Sequence, residues 1–293
     1  MFINKSTLDA LFTGLNAAFN LAFSETESHL EKLAMIAPSL SKEEEYCWLG
    51  AFPGMKEWIG QREVNNPEAF NYTIKNRTFE STFSVPREDI EDDRIGLFKP
   101  ISVQFGELAK THPDELLFGL LKDGFSKPCY DGQYFFDSDH QVNGTSVSNV
   151  QAGSGPAWFL LDTTRQIKPL IFQKRRDYKF TSLNKDSDPN VFMNNEYIYG
   201  VDARVNAGYG LWQFAFGSKA DLSAENYAVA RAAMRSMKSA SGRPLLINPN
   251  VLIVSPELED TARKLLVAQQ DAAGASNIYA GTAELIVTGW LAD

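Results

Sequence analysis

Cysteine and histidine are scarce in this chain of 293 residues: two cysteines, Cys47 and Cys129, and three histidines, His29, His112 and His140. Two distant thiols with no Cys-x-x-Cys pair cannot build a disulfide framework, and they fit a reducing compartment. No apolar run approaches the ~20 residues that cross a bilayer; the longest, Ala10 to Ser24, is broken by Asn16 and Asn20. The same two amides argue against a secretion signal. Without secretion, the Asn-x-Ser/Thr matches at Asn4, Asn71, Asn76 and Asn143 carry no glycosylation meaning. Positive charge is also short, with 28 Lys+Arg against 37 Asp+Glu and a net charge of −9. A chain so acidic does not wrap duplex DNA, which demands dense cationic surface. Its 44% hydrophobic and 22% charged content is that of a folded globular protein. The expected chain is soluble, cytosolic, and of one to two domains.

The motifs of common catalysts are missing as well. There is no Gly-x-Ser-x-Gly elbow, no Walker A loop and no Gly-x-Gly-x-x-Gly turn. Gly153-Ser154-Gly155 falls in a polar loop, and Gly208-Tyr209-Gly210 reads as a turn. His29 and His112 read as surface or capping residues. His140 follows Asp137 and Asp139, and two carboxylates with an imidazole in four positions can touch a divalent ion. No further ligand spacing supports them, and a calcium loop counted from Asp131 places Val142 where its terminal Glu belongs. A solvated loop is the plainer reading. A metal-dependent enzyme using Asp137, Asp139 and His140 is the rival of a different class.

Periodicity supplies the architecture. Leu8, Leu11, Phe12, Leu15, Phe19, Ala22 and Phe23 repeat at helical spacing after a Ser6/Asp9 capping pattern. A second helix is predicted from Ser24 to just before Pro38. The pair is either a core element or an arm lying on another chain. Between Trp48 and Val85 the period becomes two: Phe70, Tyr72 and Ile74, then Phe79, Phe83 and Val85 beyond a Lys75-Asn76-Arg77 turn, predict a hairpin whose apolar face has no cover nearby in sequence except the helix that follows. A helix interrupted by Pro113 is predicted over 101–124, with Val103, Leu108, Ala109, Leu116, Leu117, Leu120 and Leu121 inward. Residues 130–156 read as irregular loop. Strands are predicted at 158–162, 169–173, 197–206 and 210–216, then a helix capped by Ser223, a strand over 251–254, a helix from Ser255 to about Ala268 and a strand over 284–287. The fold class is α+β. The acidic run 88–93 is a solvated helix start, or a contact to a basic patch such as Lys174-Arg175-Arg176 or Arg231, Arg235 and Lys238 on a neighbour.

Several blocks, in order, are similar to a known family. They are Tyr46-Cys-Trp48-Leu-Gly50, Glu57-Trp58-Ile-Gly60-Gln-Arg62, Val85-Pro-Arg87, Tyr130-Asp-Gly132-Gln-Tyr-Phe135-Phe136 with His140, Trp158-Phe-Leu-Leu-Asp162, Ile167-Lys-Pro169-Leu-Ile-Phe-Gln173, Tyr199-Gly200-Val-Asp-Ala-Arg204 and Gly208-Tyr-Gly210-Leu-Trp212. Together they resemble the major head subunits of Mu-like phages and prophages. The resemblance implies an HK97-like capsid fold: an N-terminal helical arm (1–45), an extended β-hairpin loop (46–97), a peripheral domain with spine helix 101–124 (98–222) and an axial domain (223–293). It implies a non-enzymatic shell protein with no cofactor, made in the bacterial host cytoplasm and resident in the virion capsid. Its partners would be itself, as pentamers and hexamers, with scaffold, portal and decoration proteins. It would enclose double-stranded DNA without reading sequence. A prophage-derived compartment for protein cargo is the alternative. The residues expected at subunit contacts are Trp58, Arg62, Phe70, Tyr72, Phe79, Phe83, Arg175 and Arg176.

Overall fold

Two sheets and a 25-residue helix organise the chain. The computed structural model describes residues 4–50, 72–92, 95–185, 187–270 and 274–292. In order these give α1 (Lys5–Glu25), α2 (Leu30–Leu33), β1 (Ala34–Pro38), β2 (Glu43–Glu45), β3 (Thr73–Lys75), β4 (Arg77–Pro86), α3 (Arg87–Glu91) and α4 (Lys99–Asp123). There follow β5 (His140–Val142), β6 (Thr145–Val147), β7 (Val150–Gln151), β8 (Trp158–Leu161), β9 (Leu170–Leu183), α5 (Pro189–Asn194) and β10 (Glu196–Tyr209). The chain closes with β11 (Ala215–Ser218), α6 (Ala224–Arg235), β12 (Val251–Val254), α7 (Glu259–Leu266) and β13 (Glu284–Val287).

The long helix α4 runs unbroken through Pro113. Its buried face is Ser102, Phe105, Gly106, Ala109, Pro113, Asp114, Leu117, Phe118 and Leu121, while Leu108 is exposed. The expected stripe was therefore rotated at its N-terminal end. The physical reason is the neighbour. Helix α1 lies so close that small residues, not leucines, occupy the contact. Ser102 Oγ donates to the Leu15 carbonyl at 2.8 Å, and Gly106 faces the Phe19 carbonyl and Ala22. Helix α1 starts at Asn4 rather than Ser6, where Asn4 Oδ1 accepts the Thr7 N–H and Thr7 Oγ1 accepts the Asn4 N–H, each at 3.0 Å. Its stripe of Leu8, Leu11, Leu15, Phe19 and Ala22 is buried within its own chain, which decides in favour of a core element.

The predicted second helix is one turn only. After α2 the chain turns into β1, which pairs in parallel with β9 from Ala34↔Leu170 to Pro38↔Lys174. Asp114 fixes where the turn begins. This buried carboxylate accepts from Ser28 Oγ (2.7 Å) and the His29 N–H (3.0 Å), so the spine itself caps α2.

The larger correction concerns residues 72–86. β3 and β4 do not pair with each other: β3 pairs with β2, and β4 joins β10 along ten residues, from Arg77↔Val205 to Pro86↔Glu196. The four-stranded sheet has the order β1-β9-β10-β4. Asn76 makes the corner, its side-chain amide donating to Ser39 Oγ (2.7 Å) and the Ser41 carbonyl (2.9 Å). The turn it grips is held by Glu44. One carboxylate oxygen accepts from the Leu40 N–H (2.7 Å), the Ser41 N–H (3.0 Å) and Ser39 Oγ (2.9 Å), and these bonds hold the carboxyl down at about 2. A depressed carboxylate helps the folded state fully above its ordinary value, near 4.5, and loses that help as pH falls through about 2. Amide protection at Leu40 and Ser41 is thus expected to persist at pH 3.5 (~1.5 units above that value) and to collapse near pH 2, measured by hydrogen exchange. Glu44→Gln should weaken it at neutral pH.

The second sheet has the order β13-β12-β8-β11-β7. Its central strands β8 and β12 are buried at every position, as a strand covered on both faces must be. This sheet draws β7, β8 and β11 from before residue 222 and β12 and β13 from after it, so the expected boundary at 222/223 cuts a single sheet. Nor do the described parts of 1–45 and 46–97 stand apart, since α1 packs on α4 and β4 on β10. The polar stretch 130–156 contains a true hairpin, β5–β6, turning at Asn143-Gly144 with φ of 51° and 73°. One core joins the second sheet to α4 and the base of β9 and β10; a second lies between α1, α4 and the far half of those strands.

Candidate assembly site and a buried Cys–Asp–His cluster

Of the residues expected at subunit contacts, Trp58, Arg62 and Phe70 lie outside the described residues. Tyr72 is half-buried in the main core, its hydroxyl accepting the Tyr209 N–H at 2.8 Å, and burial pushes it up to about 12. Phe79 packs on the His112 ring at 4.3 Å with Arg77 over its face, and Phe83 meets Phe105 at 5.2 Å and Tyr199 at 5.5 Å. Their apolar face has local cover, so the reason for expecting a neighbouring subunit there does not hold. Arg176 pairs with Asp202 across the ribbon of β9 and β10. Arg175 is exposed and makes no hydrogen bond or ion pair to any described residue. Of the expected basic patches, Arg231 is spent internally, donating to the carbonyls of Pro249 (3.0 Å) and Thr282 (3.1 Å).

Apolar surface without cover lies elsewhere. Strands β9 and β10 are 14 residues each, and α5 sits at their tip with Phe192 84% and Met193 74% exposed. Only Asn190 and Val191 of that turn are buried. Leu246, 78% exposed, holds φ at 54°, a strained value for a leucine, while Arg165 donates to its carbonyl at 3.0 Å. Neither feature has a periodic signal, and sequence reading missed both. Residues that are large, apolar and outward on a projecting tip have the character of contact anchors.

His140 is wholly buried, not solvated. Its ring lies flat on Trp212, 3.8 Å between centroids and 6° between planes, and Nδ1 is 2.7 Å from Asp131 Oδ2. The other Asp131 oxygen accepts from the Cys129 thiol (3.1 Å) and the Gln133 N–H (3.1 Å). Burial alone would raise the Asp131 carboxyl, but the His140 and Cys129 hydrogen bonds outweigh it and hold it below the usual range. Burial, then the Asp131 charge, push the Cys129 thiol far up. Asp137 and Asp139 are not part of this group. Asp137 caps backbone N–H groups of Tyr134 and Ser138, and a hydrogen bond shared with Asp137 raises the solvent-facing Asp139. The trio Asp137, Asp139 and His140 is corrected to Cys129, Asp131 and His140. The spacing Cys129-x-Asp131-Gly132 was the signal available.

A family model described as the Mu-like prophage major head subunit gpT matches residues 8–291. This chain belongs to the Mu-like major head subunit family. It is 39% identical to the "Major capsid protein" of Escherichia phage Mu, over 99% of this chain and 100% of that one. It is 38% identical to the "Mu-like prophage FluMu major head subunit" of Haemophilus influenzae, over 90% of each. Among solved structures, the head subunit overlays a chain of the procapsid of bacteriophage JBD30 with a TM-score of 0.88 at 42% identity, covering 98% of this chain and 100% of that one. It overlays a chain of the JBD30 capsid with a TM-score of 0.81 at 32% identity, covering 99% and 100%. The fold is the HK97-like capsid fold, and the head subunit is a structural protein, not an enzyme.

Proposed function

We propose that this head subunit closes into an icosahedral shell of pentamers and hexamers that encloses a double-stranded DNA phage genome, assembled in the bacterial host cytoplasm. The full-length likeness to subunits of both a procapsid and a capsid carries this reading. Charge supports it, because a net −9 subunit does not grip the polyanion it surrounds. Scaffold and portal proteins are its expected partners. A decoration protein is another; the JBD30 capsid is known decorated with minor capsid protein trimers, on a chain 33% identical to this one. Each subunit contact can be weak, since closed symmetry sums many of them.

The contacts we assign are the α5 tip, Phe192 and Met193, and the guanidinium of Arg175, which pairs with no described residue, besides Trp58, Arg62 and Phe70. Purified subunit at high concentration should show shells or ring-shaped capsomers by electron microscopy. Phe192→Ser with Met193→Ser removes only outward atoms, so the unfolding free energy should change by no more than about 0.5 kcal/mol. Shells should nevertheless be lost. Intact shells from the double variant would remove α5 from the contacts, and a wild type that stays monomeric at all concentrations would refute self-assembly. Nucleic acid content of host-made particles tests the cargo.

A further inference from the structure

We propose that Cys129, Asp131 and His140 bind one transition-metal cation of borderline hardness, with Zn²⁺ the natural occupant. A sulfur, a carboxylate oxygen and an imidazole nitrogen, the first two from one loop and the third from the start of β5, lie within 4.8 Å of one another. Hard cations such as Ca²⁺ and Mg²⁺ want oxygen from every side, whereas Zn²⁺ takes S, N and O together. Water would complete the tetrahedron, as in zinc sites with three protein ligands.

The loop is built to hold these donors still. Cys129 N–H donates to the Gln133 carbonyl at 2.8 Å, and Gly132, at φ 86°, lets the chain double back so that Asp131 projects between Cys129 and His140. Trp212 fixes the imidazole plane. One feature remains unexplained by hydrogen bonding alone. Among the described residues Asp131 has no Lys or Arg partner, and of its hydrogen-bond partners only His140 is able to carry positive charge. A cation supplies that charge and adds a ligand bond to the imidazole. The protons balance simply. The cation displaces the Cys129 thiol proton to solvent, and the Nδ1 proton of a neutral imidazole moves to Nε2, so one proton leaves per cation bound.

A bound cation would staple the segment joining the end of α4 to the second sheet. It rests on none of the shell-forming reading. Cys47, exposed, is the only other thiol. The test uses the full chain with Cys47→Ser, so that Cys129 is the sole thiol, cleared with a chelator and titrated with Co²⁺. One equivalent should saturate a thiolate-to-cobalt charge-transfer absorption, which added Zn²⁺ should erase. Cys129→Ser should abolish the band, and His140→Gln should weaken Co²⁺ binding at least tenfold, with circular dichroism reporting the fold of each. Absence of the band or of stoichiometric uptake in the Cys47→Ser chain overturns the proposal, whatever the site variants do. Cobalt binding unchanged by His140→Gln overturns the assigned ligand set.

Discussion

Replacing Gly106 with leucine is expected to lift the N-terminal helix from the spine and lower the subunit's stability by about 3 kcal/mol. Even the first added carbon has no room: a Cβ at Gly106 would sit 2.5 Å from the Phe19 carbonyl oxygen and 2.8 Å from the Ala22 Cβ. The obstacle is mostly backbone, so no rotamer change relieves it. Separation of α1 from α4 breaks the Ser102–Leu15 hydrogen bond and opens the second core around Phe19, Phe105 and Phe180. Chemical denaturation of the monomer measures the loss. Gly106→Ala is the graded control, where helix propensity returns about 1 kcal/mol against the clash. A Gly106→Leu chain as stable as wild type would show that the two helices are not in register at this point.

The second large effect falls on β4. Phe79→Ser with Phe83→Ser is expected to cost the isolated subunit about 3 kcal/mol, reading each half-buried ring at ~1.5 kcal/mol. Both rings pack on their own chain, on His112 and on Phe105, Tyr199 and Phe180. Shells should vanish, but through a failing subunit rather than a failing contact, and the monomer's melting temperature distinguishes the two. A stable monomer that cannot assemble would return these rings to the interface.

The comparison of β4 with its sequence shows what a chain reveals and what it keeps. Alternation from Thr78 to Val85 announces a strand and its two faces, because side chains alternate across any pleat. It says nothing about the neighbour. The corner at Asn76 is made by partners more than thirty residues away, Ser39 and Ser41, which no local pattern encodes. The spine helix was legible as a helix through its leucines. Its contact face was not, because close helix packing selects Ser102, Gly106 and Ala109, residues that hydrophobic counting overlooks. His140 reads as solvated among aspartates, serines and glycines. Its burial comes from Trp212, seventy-two positions on, which roofs a loop of polar composition. Family resemblance, in contrast, rests on many ordered blocks and survives such local misreadings.

One further property follows from the two 14-residue strands. Their near ends, Leu170 to Phe172 and Val205 to Tyr209, are rooted in one core, and their far ends, Phe180 and Tyr197 to Val201, in the other. Pairing slips twice, between Asp202 and Arg204 and again between Arg204 and Val205, beside the solvated Arg175 and Arg176. A load applied at the outer end therefore travels along a stiff beam clamped at both ends, and its bending concentrates where the pairing slips. The slip falls where the strand passes from one set of packed side chains to the other, between Val201 in the second core and Val205 in the first, so the seam between the two cores is also the place where strand pairing is weakest.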